Sequence, residues 1–130
     1  DEYVGLPEGH PSSFRSYVEK RVMGPLRIHR DQFAFPPVHG GPISEAAAHY
    51  EQALKEANGV DLQLLGIGGN GHVGFNEPGS LKNSRTRLVE LTPETIQANK
   101  VDFPGGDMPS EALSMGIETI LSARSLVMLA

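Results

Sequence analysis

Residues 66–79, GIGGNGHVGFNEPG, gather Asn70, His72, Asn76 and Glu77 immediately after the apolar run Leu62 to Leu65 with Ile67. An imidazole, a carboxylate and two amides are groups that move or orient protons near neutral pH. The apolar run is bounded by Asp61 and then by Gly66, Gly68, Gly69 and Gly71, so it reads as a buried strand emptying into a glycine loop. Open α/β sheets place their ligands beyond the carboxyl ends of strands, which makes this stretch a candidate active site. Within it Gly68, Gly69 and Gly71 are substrate-binding candidates, because backbone without a side chain lets a ligand approach closely.

Gly66, Gly68 and Gly71 formally satisfy the dinucleotide fingerprint G-x-G-x-x-G, and Glu90 follows at about the ~20-residue distance of a ribose-binding acid. The fingerprint requires a helix to open at the third glycine and present its amides to the pyrophosphate. Residues 72–84 instead contain Gly74, Asn76, Pro78, Gly79 and Asn83 with no 3.6-residue apolar spacing, which predicts an ordered loop and counts against the cofactor reading.

The 130 residues carry a formal net charge of −5, against a nucleic-acid surface, which needs clustered Lys and Arg. Zero cysteines excludes disulfides, thiol catalysis and Cys-based zinc sites, and fits a cytosolic protein. No apolar run approaches the ~20 residues of a membrane span. His10, His29 and His39 have no partner at metal-ligand spacing and read as surface residues; His49 lies one turn from Glu45, a solvated helix pair, so no metal is expected.

Residues 1–10 read as a loop punctuated by Gly5, Pro7 and Gly9. Ser12 or Ser13 caps a helix with Phe14, Tyr17, Val18 and Val22 facing the core, which Gly24-Pro25 ends. Gln32 to Phe35 reads as a short strand, followed by a loop through Pro36-Pro37 and Gly40-Gly41-Pro42. Ser44 caps a second helix with Ala47, Tyr50, Leu54 and Ala57 on its apolar face, stopped by Asn58-Gly59. Thr86 to Leu91 is a strand, Thr92-Pro93-Glu94 starts a helix that runs to about Asn99, and 102–109 is a loop. Ala112 to Met115 is extended, Ile117 to Ser122 a short helix and Leu126 to Leu129 a strand. Helix, buried strand, functional loop is the order of an α/β unit. The expected fold is α/β: a doubly wound, mostly parallel, Rossmann-like sheet with helices on both faces.

GIGGNGHVGFNEPGS followed by NSRTR resembles the signature of the glucosamine-6-phosphate deaminase (glucosamine-6-phosphate isomerase) family, and DEYVGLPEGHPSSF at 1–14 resembles a second block of it, in the same order. The 6-phosphogluconolactonases share the glycine loop and its histidine but lack the FNEP continuation found at Phe75 to Pro78. Since Asp1 already lies inside a family block, the resemblance reads residues 1–130 as the central part of a single α/β sugar-phosphate deaminase/isomerase domain. It implies a cytoplasmic enzyme converting glucosamine 6-phosphate and water to fructose 6-phosphate and ammonia without a cofactor. The partner is a small amino-sugar phosphate, and a homo-oligomer is expected. Alternatives are a galactosamine-6-phosphate deaminase, a 6-phosphogluconolactonase-like hydrolase, or a non-catalytic sugar-phosphate-binding protein of the same fold.

Carried over residue by residue, the resemblance makes Asp1 the base that moves a proton between the sugar's first two carbons. An exposed Asp is a weak base with a pKa near ~3.9, so burial beside the substrate should raise it. His72 opens the pyranose ring, and Glu77 is expected to hydrogen-bond its other ring nitrogen. Some family members carry Asp where this chain has Asn70, whose amide cannot accept a proton and orients its neighbours instead. Phosphate-binding elements of the family precede and follow these residues. An Arg often found after the QAN segment is absent, and Lys100 is the substitute, as a point charge without Arg's fork. Arg85 and Arg87 read either as surface cations or, for Arg87, as part of an activator site whose second basic residue is here Val89.

Overall fold

A computed structural model of the chain describes residues 1–106 and 108–130. In chain order the elements are β1 (Glu2–Tyr3), α1 (Phe14–Val18), α2 (Gly24–Leu26), α3 (Ile43–Glu56), β2 (Leu62–Gly66), β3 (Arg87–Glu90), α4 (Pro93–Asn99), β4 (Glu111–Ser114), α5 (Ile117–Leu121) and β5 (Ser125–Leu129). The α/β class holds. β2 pairs with β5 in parallel, Leu62 opposite Ser125 through Gly66 opposite Leu129. A three-stranded antiparallel sheet, in the order β1-β4-β3, lies beside that parallel pair and is not part of the sequence expectation.

β4 is the organising strand. Ala112, Leu113 and Ser114 have no exposed surface. Successive side chains of a strand point to opposite faces, and here Ala112 joins Tyr3, Leu6, Phe75, Leu91 and Phe103, whereas Leu113 joins Val38, Ala46 and Ala47. A third cluster, Leu65, Met115 and Ile120, is covered by Tyr50 and Leu54 of α3 and ties the parallel pair to the rest. Outside this cluster the pair is bare: Leu62, Leu64, Val127, Met128 and Leu129 are exposed.

Several local expectations change. Residues 1–10 contain β1, and Glu2 is buried, its carboxylate accepting from the backbone N–H groups of Tyr3, Phe14 and Arg15, so it anchors the start of α1. Ser13 is the cap. Gly24-Pro25 does not end that helix, which continues through a π-helical turn (Glu19–Met23) into α2 and stops at left-handed Arg27. Phe14 is partly exposed and Tyr17 more so, not core. Gln32 to Phe35 is not a strand: Arg30–Gln32 is a 3-10 turn, and Pro36 and Pro37, lacking donors, offer no ladder. The cap of α3 is Pro42 rather than Ser44. Lys100–Asp102 is a further 3-10 turn. Of the loop expected at 102–109, position 107 lies outside the described residues.

Candidate active site

The loop after β2 closes on itself before it reaches any helix. Gly68 N–H donates to the His72 carbonyl at 2.9 Å, the Gly71 N–H donates to the Gly68 carbonyl at 2.9 Å, and Gly71 takes a φ of 87°, where glycine is favoured. The turn brings the His72 ring against Gly68. A Cβ built on Gly68 would lie 2.1 Å from Cε1 and 2.3 Å from Nε2 of that ring, so only glycine leaves room for it.

Asn70 sits between His72 and Glu77. Its Nδ2 donates to Glu77 Oε2 at 2.8 Å, and its Oδ1 accepts from the His72 backbone N–H at 3.0 Å. A carboxylate only accepts and a main-chain N–H only donates, so the amide has one workable orientation. That orientation places Oδ1 2.7 Å from His72 Nδ1, which must then carry the ring proton. Nε2 is left with the lone pair, and among the described residues it has no hydrogen-bond partner. The expected direct bond between Glu77 and His72 is absent: their closest approach is 3.8 Å, because Asn70 has taken its place. Asn70 orients, as expected, but by bridging the two other groups.

Glu77 is clamped from its other side by the Thr92 N–H, which donates to Oε1 at 3.1 Å from the first turn of α4. Burial alone would push its carboxyl up. The Thr95 hydroxyl, the Asn70 amide, the Thr92 N–H and the His72 imidazole together outweigh that cost and hold it below its ordinary value.

Asp1 reaches the same place from the chain's other end. Its Oδ1 accepts from the Met115 N–H at 2.8 Å, just past β4, and its Oδ2 fills the space where Gly74, at a φ of +60°, would carry a Cβ. Asp1, His72 and Gly68 line one cleft of about 450 Å³ with Phe14, Asn99 and Ile67. The loop is fastened to β4 by Asn76, which is buried: its Nδ2 donates to the Met115 carbonyl at 2.7 Å and the Val73 carbonyl at 3.0 Å. Asn76 is therefore a structural latch rather than a proton-handling group. Ser114 Oγ accepts the Phe75 N–H beside it.

The structure thus brings Asp1, Asn70, His72 and Glu77 together with Gly68. It does not bring in the other binding candidates. Gly69 and Gly71 lie on the exposed outer side of the turn, and Lys100 is exposed next to Asn99, outside the cleft lining. Arg87 is spent on the loop, donating to Asn76 Oδ1 at 2.8 Å and Ser80 Oγ at 3.3 Å, while Arg85 approaches Glu51 at 3.6 Å. His29, His39 and His49 are exposed, and His10 stacks on Phe103. No cluster of three or more metal-ligating side chains occurs among the described residues. The sequence reading missed Met115 and Thr95. Met115 acts through its backbone and leaves no mark in its residue type, whereas Thr95 was legible only as the third residue after a helix cap.

The family described as glucosamine-6-phosphate isomerases/6-phosphogluconolactonase matches residues 1–130. The chain is 48% identical over 131 residues to a glucosamine-6-phosphate deaminase of Rhodopirellula baltica, covering 100% of this chain and 52% of that protein. It is 48% identical over 132 residues to one of Streptomyces avermitilis, covering 100% and 51%. A solved structure described as a monomeric glucosamine-6-phosphate deaminase superposes with a TM-score of 0.93 at 38% identity, over 98% of this chain and 53% of that one. The chain spans about half the length of the curated relatives it matches. With the strand, glycine turn and proton-handling groups in place along the whole matched length, this chain belongs to the glucosamine-6-phosphate isomerase/6-phosphogluconolactonase family.

Proposed function

We propose that the whole protein deaminates and isomerises glucosamine 6-phosphate to fructose 6-phosphate and ammonia. The observation that carries this reading is His72, its Nδ1 2.7 Å from the oxygen of Asn70, which itself donates to Glu77, in the same cleft as the Asp1 carboxylate. Nε2 accepts the proton of the anomeric hydroxyl and returns it to the ring oxygen as the pyranose opens. The imidazolium formed in between is stabilised by Glu77 at 3.8 Å, with Asn70 passing on the polarisation but no proton. Asp1 then takes the hydrogen from carbon two of the open aldehyde and delivers it to carbon one, while a proton passes from the ammonium nitrogen through His72 to the carbon-one oxygen, leaving a hydroxyl at carbon one and an iminium at carbon two. Water adds there, ammonia leaves, and the ketose remains. His72, Asp1 and water suffice for every proton moved.

The related deaminases support the amino-sugar substrate over a lactone. A lactonase needs a base for one water and no carboxylate to shuttle a proton between carbons, so Asp1 beside His72 points the same way. We place the reaction in the cytoplasm, since a charged sugar phosphate does not cross lipid; no helix among the described residues is long and apolar enough to span a membrane. Asn99 lines the cleft, whereas Lys100 does not. The solved neighbour is described as monomeric, and a homo-oligomer of the whole protein is the proposal that sedimentation tests. Ammonia release from glucosamine 6-phosphate, galactosamine 6-phosphate and 6-phosphogluconolactone, with acid production followed for the last, tests the reading. Release from glucosamine 6-phosphate is the expected result. Acid production from the lactone alone moves the protein to the other branch of the family, and silence with all three favours a sugar-phosphate binder.

A further inference from the structure

The first turn of α4 makes a contact with the histidine that the mechanism above does not use. Thr95 is 2% exposed, and its Oγ1 lies 3.4 Å from His72 Nδ1. A buried hydroxyl is costly unless bonded. Thr92 holds the residue in place twice: its hydroxyl donates to Thr95 Oγ1 at 3.2 Å, and the Thr95 N–H donates to the Thr92 Oγ1 at 3.3 Å as part of the helix cap. Thr92 in turn donates its N–H to Glu77. The same helical turn therefore touches both ends of the His72–Asn70–Glu77 chain, one end through a main-chain amide and the other through the Thr95 hydroxyl.

We propose that Thr95 is a positioning residue for His72, its buried Oγ1 offering a second acceptor to Nδ1–H beside Asn70 and thereby fixing the tautomer and tilt of the ring from α4. Asn70 alone binds Nδ1 from an exposed turn, where its side chain has water as a competitor. Thr95 approaches the same nitrogen with a buried group that solvent cannot displace. The charged groups facing His72 are Glu77, on its own loop, and Asp1, across the cleft. Neither reaches Nδ1 within hydrogen-bond distance, so tautomer control rests with the two neutral acceptors. Valine at this position would keep the shape of threonine and remove its hydroxyl, which also bonds Glu77, so the tautomer ratio of His72 is read beside turnover.

This inference rests on the proposed function for its kinetic readout, so the test pairs turnover with a measurement that needs none. Thr95→Val and Thr95→Ser are made in the whole protein. Ammonia release from glucosamine 6-phosphate is followed against pH, and the His72 ring nitrogens are followed by ¹⁵N NMR. For Thr95→Val the expected result is a fall in kcat of about tenfold with KM within about twofold. A growing share of the Nε2–H tautomer should accompany it, and Thr95→Ser should restore both. Wild-type tautomer ratio and pH profile in Thr95→Val overturn the inference. So does a loss that Thr95→Ser fails to restore, since that marks packing alone. If the wild type turns over none of its substrates, the functional reading fails, and the tautomer ratio still decides whether Thr95 positions the ring.

Discussion

Substituting Gly68 with Ala isolates the geometry of the histidine from every other property of the site. The backbone of Gly68 is not at positive φ, so alanine brings no conformational strain there, and the effect is steric. Its Cβ would sit 2.1 to 2.5 Å from three atoms of the imidazole. Gly68 cannot yield, because its N–H and carbonyl are bound within the turn to His72 and Gly71. The ring must move, and restoring contact near 3.4 Å needs a withdrawal of roughly 1.3 Å. That displacement breaks the 2.7 Å bond to Asn70 and carries Nε2 away from the substrate. A misplacement of about 1 Å typically costs ~100-fold, near 2.7 kcal/mol in the barrier. The assay is ammonia release by the whole protein, with thermal melts alongside and Gly41→Ala, where an added Cβ meets nothing within 4 Å, as the control. A Gly68→Ala enzyme that keeps its kcat within about threefold would refute the packing of His72 on Gly68 as the determinant of its position.

His72→Gln in the whole protein is expected to lower kcat by about 100-fold or more while sugar-phosphate affinity, read by calorimetry, changes little; loss of affinity with no turnover in the wild type would indicate a binder. Glu51 on α3 accepts from the Thr86 N–H and from the hydroxyls of Thr86 and Thr119, joining α3 to β3 and α5. Burial raises its pKa, but the donors of Thr119 and Thr86 with Arg85 win and leave it lowered. A depressed folded-state pKa gives stability that is present above the unfolded value, about 4.3, and is lost as pH falls through the lower folded value. Glu51→Gln should therefore lower Tm at pH 7 and lose that difference in acid, as melts across pH 2 to 7 would reveal; a difference that persists at the lowest pH would contradict it. The 130-residue chain on its own, with Leu62, Leu64, Val127, Met128 and Leu129 exposed, should bind an apolar dye and self-associate in ultracentrifugation; a monodisperse, dye-silent chain would mean that the sheet is covered by some rearrangement.

What was legible in the sequence followed local rules. β2, β3, α4, α5 and β5 appear close to where apolar runs, a Thr cap and a first-turn Pro place them. β1 was invisible because two residues among glycines and prolines become a strand only through pairing with β4, at the far end of the chain. Gly24-Pro25 looked like a stop, yet Pro is tolerated in the first turn of a helix, and a new turn begins there after the π-helical stretch. The site's chemical groups were legible by type, but their connections were not. Asn76 and Asn70 are the same residue type six positions apart; burial makes the first a latch, and an exposed turn makes the second a bridge. Lys100 was chosen for its charge, a property that says nothing about which way a short turn faces.

Met115 holds both halves of the site: its N–H binds Asp1 and its carbonyl binds Asn76. The Asp1 contact spans 114 positions of sequence and the Asn76 contact 39. Contacts between such distant positions bear a loop-closure cost that local contacts do not. Competence for proton transfer therefore depends on two long-range contacts that meet at one residue just past β4. The exchange rate of the Met115 amide hydrogen would then report, in one signal, whether a given molecule has an assembled site.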